Sequence, residues 1–234
     1  MKAFFITNVE NDQAKSVGER HVALANEYGD LDAKIFEAVK GLDAPHFLED
    51  NNINFLKPKY ITKEFKQADK KQHYSKRVGV MGCFASHYSL WKKCVELNER
   101  IGIFEYDAMQ VKKFPKEVKG FNGWLYLSGW RNFEGNPDDY ECGPNGIHEY
   151  IGYHRWGYRN VCSGTHAYIL NPAHAEIFIE TAHTKGWFPV DRFMSTDLVP
   201  LRKFTICPPV FIVNESLNLS FNYTTKKISR GWWS

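Results

Sequence analysis

The sequence lacks any long apolar run and any paired cysteine motif. None of its 234 residues belongs to a stretch that approaches the roughly 20 apolar residues of a membrane span. The apolar run at residues 3–6 is too short for a signal peptide. The cysteines are odd in number and have no CxxC spacing, which argues against a disulfide framework and a structural zinc site. These absences predict a soluble, reduced protein in the cytoplasm, without a transmembrane segment.

The net charge is also small, at +3, but basic residues are concentrated in one segment. Residues 57–77 contain eight basic side chains against two acidic ones. Such a segment can contact the phosphates of a membrane, a nucleic acid or a diphosphate, or it can be a solvated loop face. Residues 226–233 combine two lysines and an arginine with two tryptophans, which suits nucleic acid or peripheral contact with the inner membrane face.

The order of apolar and periodic segments predicts an α/β fold. Residues 2–8 predict a strand, 14–28 a helix and 34–39 a second strand, which together form a parallel α/β unit. Residues 82–98 are the strongest helix, and they lead into a strand at 101–104. Further segments complete the pattern: strands at 124–127 and 162–170, a helix at 172–184, and a last strand around 206 and 210–213.

The chain shows no internal repeat and no low-complexity linker, so residues 1–234 are predicted to form a single domain. Within it, residues 42–77 form a basic insertion with short helices only. Residues 129–160 are rich in Gly, Pro, Asn and aromatics and predict a long loop, which in a compact domain is usually functional.

Two acids directly follow the predicted strand at 101–104. Glu105 and Asp107 are separated by one residue, and ligands of α/β sheets bind beyond the carboxyl ends of the strands. Oxygen ligands of this kind bind Mg²⁺ or Mn²⁺ together with substrate phosphates. The pair therefore predicts a metal site, although the same two acids could also lie in a solvated turn.

Several short blocks, in order along the chain, resemble glycosyltransferase family 25. They are residues 5–8 with 35–41, 82–91, 104–107, 162–170, and 189–191 with the nearby 208–210. The block GCFASHYSLW is similar to the family's GCxxSHxxLW helix and is the most specific. The resemblance covers about residues 1–216. It implies a Rossmann-like GT-A fold with a mixed, mainly parallel central sheet, an inverting mechanism and usually a UDP-sugar donor, with galactose favoured by analogy.

The resemblance also implies roles for individual residues. Asp107 would bind the metal directly, while Glu105 would shape the donor site or bind the metal through water. Asp191 would be the general base, with Asp197 as second choice; a helix N-cap is the alternative role for Asp191. The remaining donor-site residues are Phe5, Thr7, Asn8, Lys15, Ser86, His87 and Thr165, with Lys15 replacing the usual arginine. His87 could instead be a core residue, and His166 could contact donor or metal or be structural.

One departure from the family pattern keeps the function open. Tyr106 replaces the middle acid of the motif, which bears on metal dependence. The first reading is a metal-dependent hexosyl or pentosyl transferase that acts on a saccharide, such as lipooligosaccharide. The second is a phage-type enzyme that glycosylates hydroxymethylated cytosine in DNA, in the host cytoplasm. The third is a sugar-nucleotide-binding module without catalysis.

Overall fold

A computed structural model describes residues 1–28, 30–72, 77–114, 121–128, 146–150, 157–159 and 165–213. In the order of the chain, its elements are β1 (Lys2–Thr7), α1 (Asp12–Glu27), β2 (Asp32–Glu37), α2 (Ala44–Asp50), α3 (Lys63–Gln72), α4 (Val78–Leu97), β3 (Ile101–Glu105), β4 (Ala108–Gln110), β5 (Gly123–Tyr126), β6 (Gly146–Glu149), β7 (Ala167–Leu170), α5 (Pro172–Lys185), α6 (Val190–Phe193), β8 (Arg202–Cys207) and β9 (Phe211–Val213). A single 3-10 turn, Pro58–Tyr60, lies between α2 and α3.

A seven-stranded sheet forms the centre of the fold, with the strand order β2-β1-β3-β7-β5-β8-β6. The pairs β2–β1, β1–β3 and β5–β8 are parallel, whereas β7 and β6 are antiparallel to their neighbours. Five of the seven strands therefore share one direction. This confirms the predicted α/β class with a mixed, mainly parallel central sheet. β4 and β9 form a separate antiparallel pair.

The two faces of the central sheet are covered by separate cores. On one face, α4 packs on α5 and α6 through stacked aromatic rings, with ring centroids 4.9 Å apart for Trp91 and Phe178 and 5.6 Å apart for Trp91 and Phe193. On the other face Phe104 stacks on Phe211 at 4.4 Å. Many of the chain's aromatic residues are thus committed to packing rather than to sugar or base stacking.

Local signals explain where the long helices begin and end. Asn11 accepts a hydrogen bond from the backbone N–H of Ala14 and caps α1, and Asn171 caps α5 through His174 in the same way. Asn and Asp favour these positions because their side chains satisfy donors that a helix start leaves unpaired. α4 ends at Leu97, and the left-handed φ of 48° at the next residue, Asn98, stops the helix.

Strand β8 was only partly predicted, because its buried lysine hides the strand pattern. The prediction placed a strand residue at Ile206, whereas β8 begins at Arg202. Lys203 is 2% exposed, and its ammonium group lies 4.0–5.6 Å from the ring centroids of Trp124, Tyr126 and Tyr150. Aromatic faces attract a desolvated cation, so a charged residue here occupies a core position.

The insertion at residues 42–77 contains only short helices where it is described, as predicted. The loop predicted at 129–160 includes the strand β6, which pairs with β8. The described residues leave out most of that loop, residues 161–164 and residues 226–233. The predictions made for these segments therefore stay predictions. No described helix is both long and apolar enough to cross a membrane.

The expectation that all cysteines are reduced is wrong for Cys207, which is disulfide-bonded. Cys83 and Cys94 are free thiols. Sequence spacing could not reveal the bond, because a disulfide between residues distant in the chain needs only that the fold brings them together.

Close packing between α1 and β1 gives a test of this arrangement. A Cβ on Gly18 would lie 2.6 Å from Oγ1 and 2.8 Å from Cγ2 of Thr7. Gly18→Ala should therefore lower the free energy of unfolding by about 1–3 kcal/mol, although alanine favours a helix by about 1 kcal/mol. In a Thr7→Ala background the clash is removed, and Gly18→Ala should become neutral or stabilising. Urea unfolding of the four variants measures this coupling. An equal loss in both backgrounds would contradict the packing.

Candidate active site

Strand register brings the acidic motif and the segment before β7 to one edge of the sheet. β1 and β3 are parallel, with Ile6 opposite Glu105. β7 runs the other way beside β3, with Phe104 opposite Ala167, and the Glu105 N–H donates to the His166 carbonyl at 2.8 Å. The end of β3 therefore meets the start of β7. Thr165 and His166 lie beside Glu105 for that reason, although 60 residues separate Thr165 from Glu105 in the chain.

The backbone at Tyr106 is fixed from two sides. Its N–H donates to the Ile6 carbonyl at 3.0 Å, and its carbonyl lies 2.8 Å from Nδ1 of His21. A carbonyl can only accept, so Nδ1 of His21 carries the hydrogen. Burial lowers the pKa of His21, which favours the neutral ring. These contacts hold the turn from which Glu105 and Asp107 project.

His21 was not identified from the sequence, but its spacing gave a signal. It is 1% exposed and shares the buried face of α1 with Ala14, Gly18 and Ala25. A histidine in register with the apolar face of a helix requires a buried partner for its ring nitrogen. In this fold the partner is the backbone of the acidic motif.

Glu105 is the centre of a polar cluster. Its Oε1 accepts a hydrogen bond of 2.5 Å from the Thr165 hydroxyl and lies 3.6 Å from Nε2 of His87. Its Oε2 lies 3.5 Å from Nδ1 of His166, which is also 3.9 Å from Oδ1 of Asp107. The Glu105 side chain is 23% exposed, so the cluster opens to solvent on one side.

The titration behaviour of the cluster follows from these contacts. Burial by itself would raise the pKa of Glu105, but the contacts with His166 and His87 outweigh it and hold that pKa well below its usual range. Burial disfavours the imidazolium of His166, yet the two carboxylates raise its pKa to about 9. Burial raises the pKa of Asp107 to about 6, with Glu105 adding to the shift and His166 opposing it. A cation that uses His166 as a ligand must therefore displace its proton, because a histidine ligand is neutral.

This arrangement fits a divalent cation. One ligand atom each from Glu105, Asp107 and His166 lies within 4.8 Å of the others. Among the described residues, Oδ1 of Asp107 and Nδ1 of His166 are buried and have no hydrogen-bond partner, whereas the Thr165 hydroxyl uses one of the two lone pairs of Oε1 of Glu105. Asp107 is therefore the side chain best prepared to bind a metal directly, and Glu105 is held by the protein.

Asp191 lies in the short helix α6, which Phe193 anchors against Phe84 of α4 at a ring distance of 5.1 Å. Pro189 precedes the helix as its N-cap, so the alternative of Asp191 as the cap residue is wrong. Its carboxylate is 3.1 Å from the guanidinium of Arg192, and both side chains are 3% exposed. Burial raises the pKa of Asp191, while Arg192 opposes the rise and the negative charge of Glu105 adds to it.

The other predicted donor-site residues divide into two groups. Phe5, Thr7, Ser86 and His87 are fully buried. The Phe5 ring packs on Phe104 at 4.9 Å, so its side chain belongs to the core. Asn8 and Lys15 lie at the solvent-accessible end of β1 and near the start of α1, where they are available to a ligand.

Ser86 links α4 to the segment that follows β2. Its Oγ accepts a hydrogen bond from the N–H of Val39 at 2.8 Å and donates to the Gly82 carbonyl at 2.7 Å. The nearby Gly82 allows this approach, because a Cβ there would lie 2.7 Å from the Val39 carbonyl oxygen. The GCFASH block is thus required for packing, whatever it also contributes to a ligand.

The fold and the site together define a Rossmann-like α/β domain with a carboxylate cluster at the carboxyl ends of β1 and β3. A family model described as glycosyltransferase family 25 (LPS biosynthesis protein) matches residues 1–194. The chain therefore belongs to glycosyltransferase family 25, as the sequence blocks indicated. It is also 26% identical over 188 residues to a protein of Aedes aegypti named glycosyltransferase 25 family member. The matched region is 75% of this chain but only 28% of that relative.

The buried partner of His87 gives a test of the site's support. The Tyr168 hydroxyl lies 2.9 Å from Nδ1 of His87 and accepts a hydrogen bond of 2.9 Å from Nε1 of Trp91. Tyr168→Phe leaves both groups buried without this partner and should lower the free energy of unfolding by about 2 kcal/mol or more. Tyr88→Phe is the matched control, since it removes one partly buried contact with His183 and should cost less. Equal losses in denaturant unfolding would contradict the assigned network.

Proposed function

We propose that this chain transfers a sugar from a nucleotide-diphospho-sugar donor to an acceptor hydroxyl. The observation that carries the proposal is the cluster of Glu105, Asp107 and His166 at the sheet edge where α/β domains bind ligands. Family membership supports it through glycosyl transfer as the family's chemistry. These residues lie at the end of β3 and at the start of β7. Both strands are almost fully buried, so the packed core holds the site rigidly.

Asp107, with His166 and Glu105 beside it, would hold Mn²⁺ or Mg²⁺ together with the diphosphate of a UDP-sugar. A cation bound there neutralises the negative charge that develops on the departing diphosphate. Thr165 orients Glu105 by its hydrogen bond of 2.5 Å, and the pinned backbone of Tyr106 fixes the direction in which Asp107 points. Tyr106 replaces an acid in the family motif, but its backbone position does not depend on its side chain.

Asp191 would act as the general base. In an inverting transfer the acceptor hydroxyl attacks the anomeric carbon opposite the leaving group, and a carboxylate takes the hydroxyl proton. Asp191 is buried, and the negative charge of Glu105 adds to the rise in its pKa that burial causes. Its raised pKa makes it a stronger base than an exposed aspartate. The guanidinium of Arg192 lies 3.1 Å from this carboxylate and opposes the rise in its pKa.

A saccharide is the acceptor that we propose. The description of the matching family names LPS biosynthesis, and that chemistry glycosylates sugar hydroxyls. A hydroxymethylated base in DNA is the competing acceptor and would have to be flipped out of the duplex. Assaying transfer to both acceptors with one labelled donor separates the two, and transfer to neither would favour a binding module without catalysis.

Removing the metal ligand tests the donor site. Asp107→Asn should reduce Mn²⁺ affinity at least tenfold, measured by electron paramagnetic resonance of free Mn²⁺, because it removes the charged oxygen that is free to bind. Glu105→Gln should have the smaller effect, since Thr165 and two histidines hold that side chain. Asp50→Asn, on the exposed end of α2, is the control. Unchanged Mn²⁺ binding in Asp107→Asn would remove this residue from the site.

Replacing the base tests the reaction itself. Asp191→Asn should lower kcat by about 10²–10⁴-fold while donor affinity, measured by calorimetry with UDP, stays near the wild-type value. Asp197→Asn is the matched control. Asp197 accepts a hydrogen bond of 2.6 Å from the backbone N–H of Arg159, so its role is structural and its kcat should change little. A fall confined to Asp197→Asn would transfer the role of base to that residue.

A further inference from the structure

A second group of metal-ligand side chains lies on the side of Glu105 that faces α4. It consists of the Cys83 thiol, Nε2 of His87 and a carboxylate oxygen of Glu105, all within 4.8 Å of one another. It includes neither Asp107 nor His166. Its mixture of sulfur, nitrogen and oxygen differs from the oxygen-rich set that Mg²⁺ and Mn²⁺ prefer.

Helix geometry sets the first two ligands of this group. Cys83 and His87 are four residues apart on α4 (Val78–Leu97), so their side chains lie on the same face, one turn apart. The strand end that carries Glu105 meets this face of the helix. In the sequence this group appears as a Cys-x-x-x-His pair inside a predicted helix, which differs from the CxxC spacing of common zinc sites.

His87 supplies the evidence that points to a ligand. Its side chain is 0% exposed and its Nε2 lies 3.6 Å from Oε1 of Glu105. That is too long for a hydrogen bond, and within the described ranges this buried nitrogen has no hydrogen-bond partner. Two ligand atoms that share a tetrahedral Zn²⁺, each about 2.0–2.2 Å from the ion, are about 3.3–3.6 Å apart. The observed separation suits a shared ion better than a direct contact.

The other ring nitrogen of His87, Nδ1, has a protein partner that fixes the orientation of the ring. Nδ1 lies 2.9 Å from the Tyr168 hydroxyl oxygen, which also accepts from Trp91. Metal binding at Nε2 requires the tautomer in which Nδ1 carries the hydrogen and donates it to the Tyr168 hydroxyl oxygen, and the contact of 2.9 Å is compatible with that tautomer. Histidine ligands of metals are regularly held in this way by a partner on the other ring nitrogen.

We propose that Cys83, His87 and Glu105 form a binding site for a soft or borderline divalent cation such as Zn²⁺. Three protein ligands of these types, with one position left for water, match an open tetrahedral zinc site. Binding converts the Cys83 thiol to a thiolate, and its proton passes to solvent. Cys83 is the more exposed of the two ligands on α4, since it is partly buried whereas His87 is fully buried.

A cation bound by Cys83 and His87 competes for Glu105 with a cation bound by Asp107 and His166. The two groups share that one carboxylate, so full occupancy of both by separate ions is disfavoured by charge repulsion and by loss of a ligand. This consequence rests on the proposed function and predicts that Zn²⁺ opposes Mn²⁺-dependent transfer. The binding site itself does not depend on any catalytic activity.

Cobalt(II) binding to the purified 234-residue chain tests the proposal, because thiolate coordination to Co²⁺ gives a charge-transfer absorption in the near ultraviolet. The wild type should show this band at sub-millimolar Co²⁺ in anaerobic buffer without added reductant, which leaves the disulfide of Cys207 intact, and Zn²⁺ should remove it. Cys83→Ser should lose the band and weaken Zn²⁺ binding at least tenfold. His87→Gln should weaken it as well; if that variant does not fold, Cys83→Ser decides.

The matched control is Cys94→Ala, which removes a buried thiol from the same helix. Cys94 contacts the carbonyls of Glu99 and Leu170 instead, so this variant should keep the band. Absence of the band in the folded wild type, or its survival in Cys83→Ser, would overturn the proposal. Binding of Mn²⁺ to the same samples is read separately by paramagnetic resonance, so a failure of the proposed donor site would be visible independently.

Discussion

The site depends on keeping Glu105 ionised in a largely buried position. Moving a carboxylate out of water is unfavourable unless it gains hydrogen bonds or opposite charge. Glu105 gains a hydrogen bond from the Thr165 hydroxyl and the positive charge of His166, while the ring of His87 lies against its other side. These three partners come from α4 and from the segment before β7. The order of neighbouring strands in the sheet is thus what allows the charge to exist at this edge.

The same contacts make the acidic motif tolerant of Tyr106. A middle acid would add a third negative charge beside Glu105 and Asp107, which would favour the protonated form of both carboxyl groups. Here the backbone of residue 106 is held by Ile6 and His21, and burial, together with the two acids, raises the pKa of the Tyr106 hydroxyl. The residue therefore stays neutral and contributes the turn rather than a ligand.

The sequence allowed much of the fold and part of the site to be predicted, for physical reasons that differ by residue. Strand, helix and strand at the start of the chain follow from apolar periodicity, and the position of Glu105 and Asp107 after β3 follows from the rule for α/β sheets. The roles of His21 and Lys203 could not be predicted, because each polar residue is stabilised by a partner distant in sequence. The disulfide of Cys207 could not be predicted either, because every other cysteine is distant from it in the sequence.

The two cation sites that we propose share Glu105, one on each side of its carboxylate. Its Oε2 faces His166, on the side of Asp107, while its Oε1 faces His87, on the side of Cys83. Oxygen-rich coordination favours hard ions and sulfur with nitrogen favours softer ones, so the two sides differ in selectivity. Because one carboxylate has a single negative charge to share, a stronger bond on one side weakens the other. Competition between the sides is therefore a consequence of where Glu105 lies and needs no conformational change.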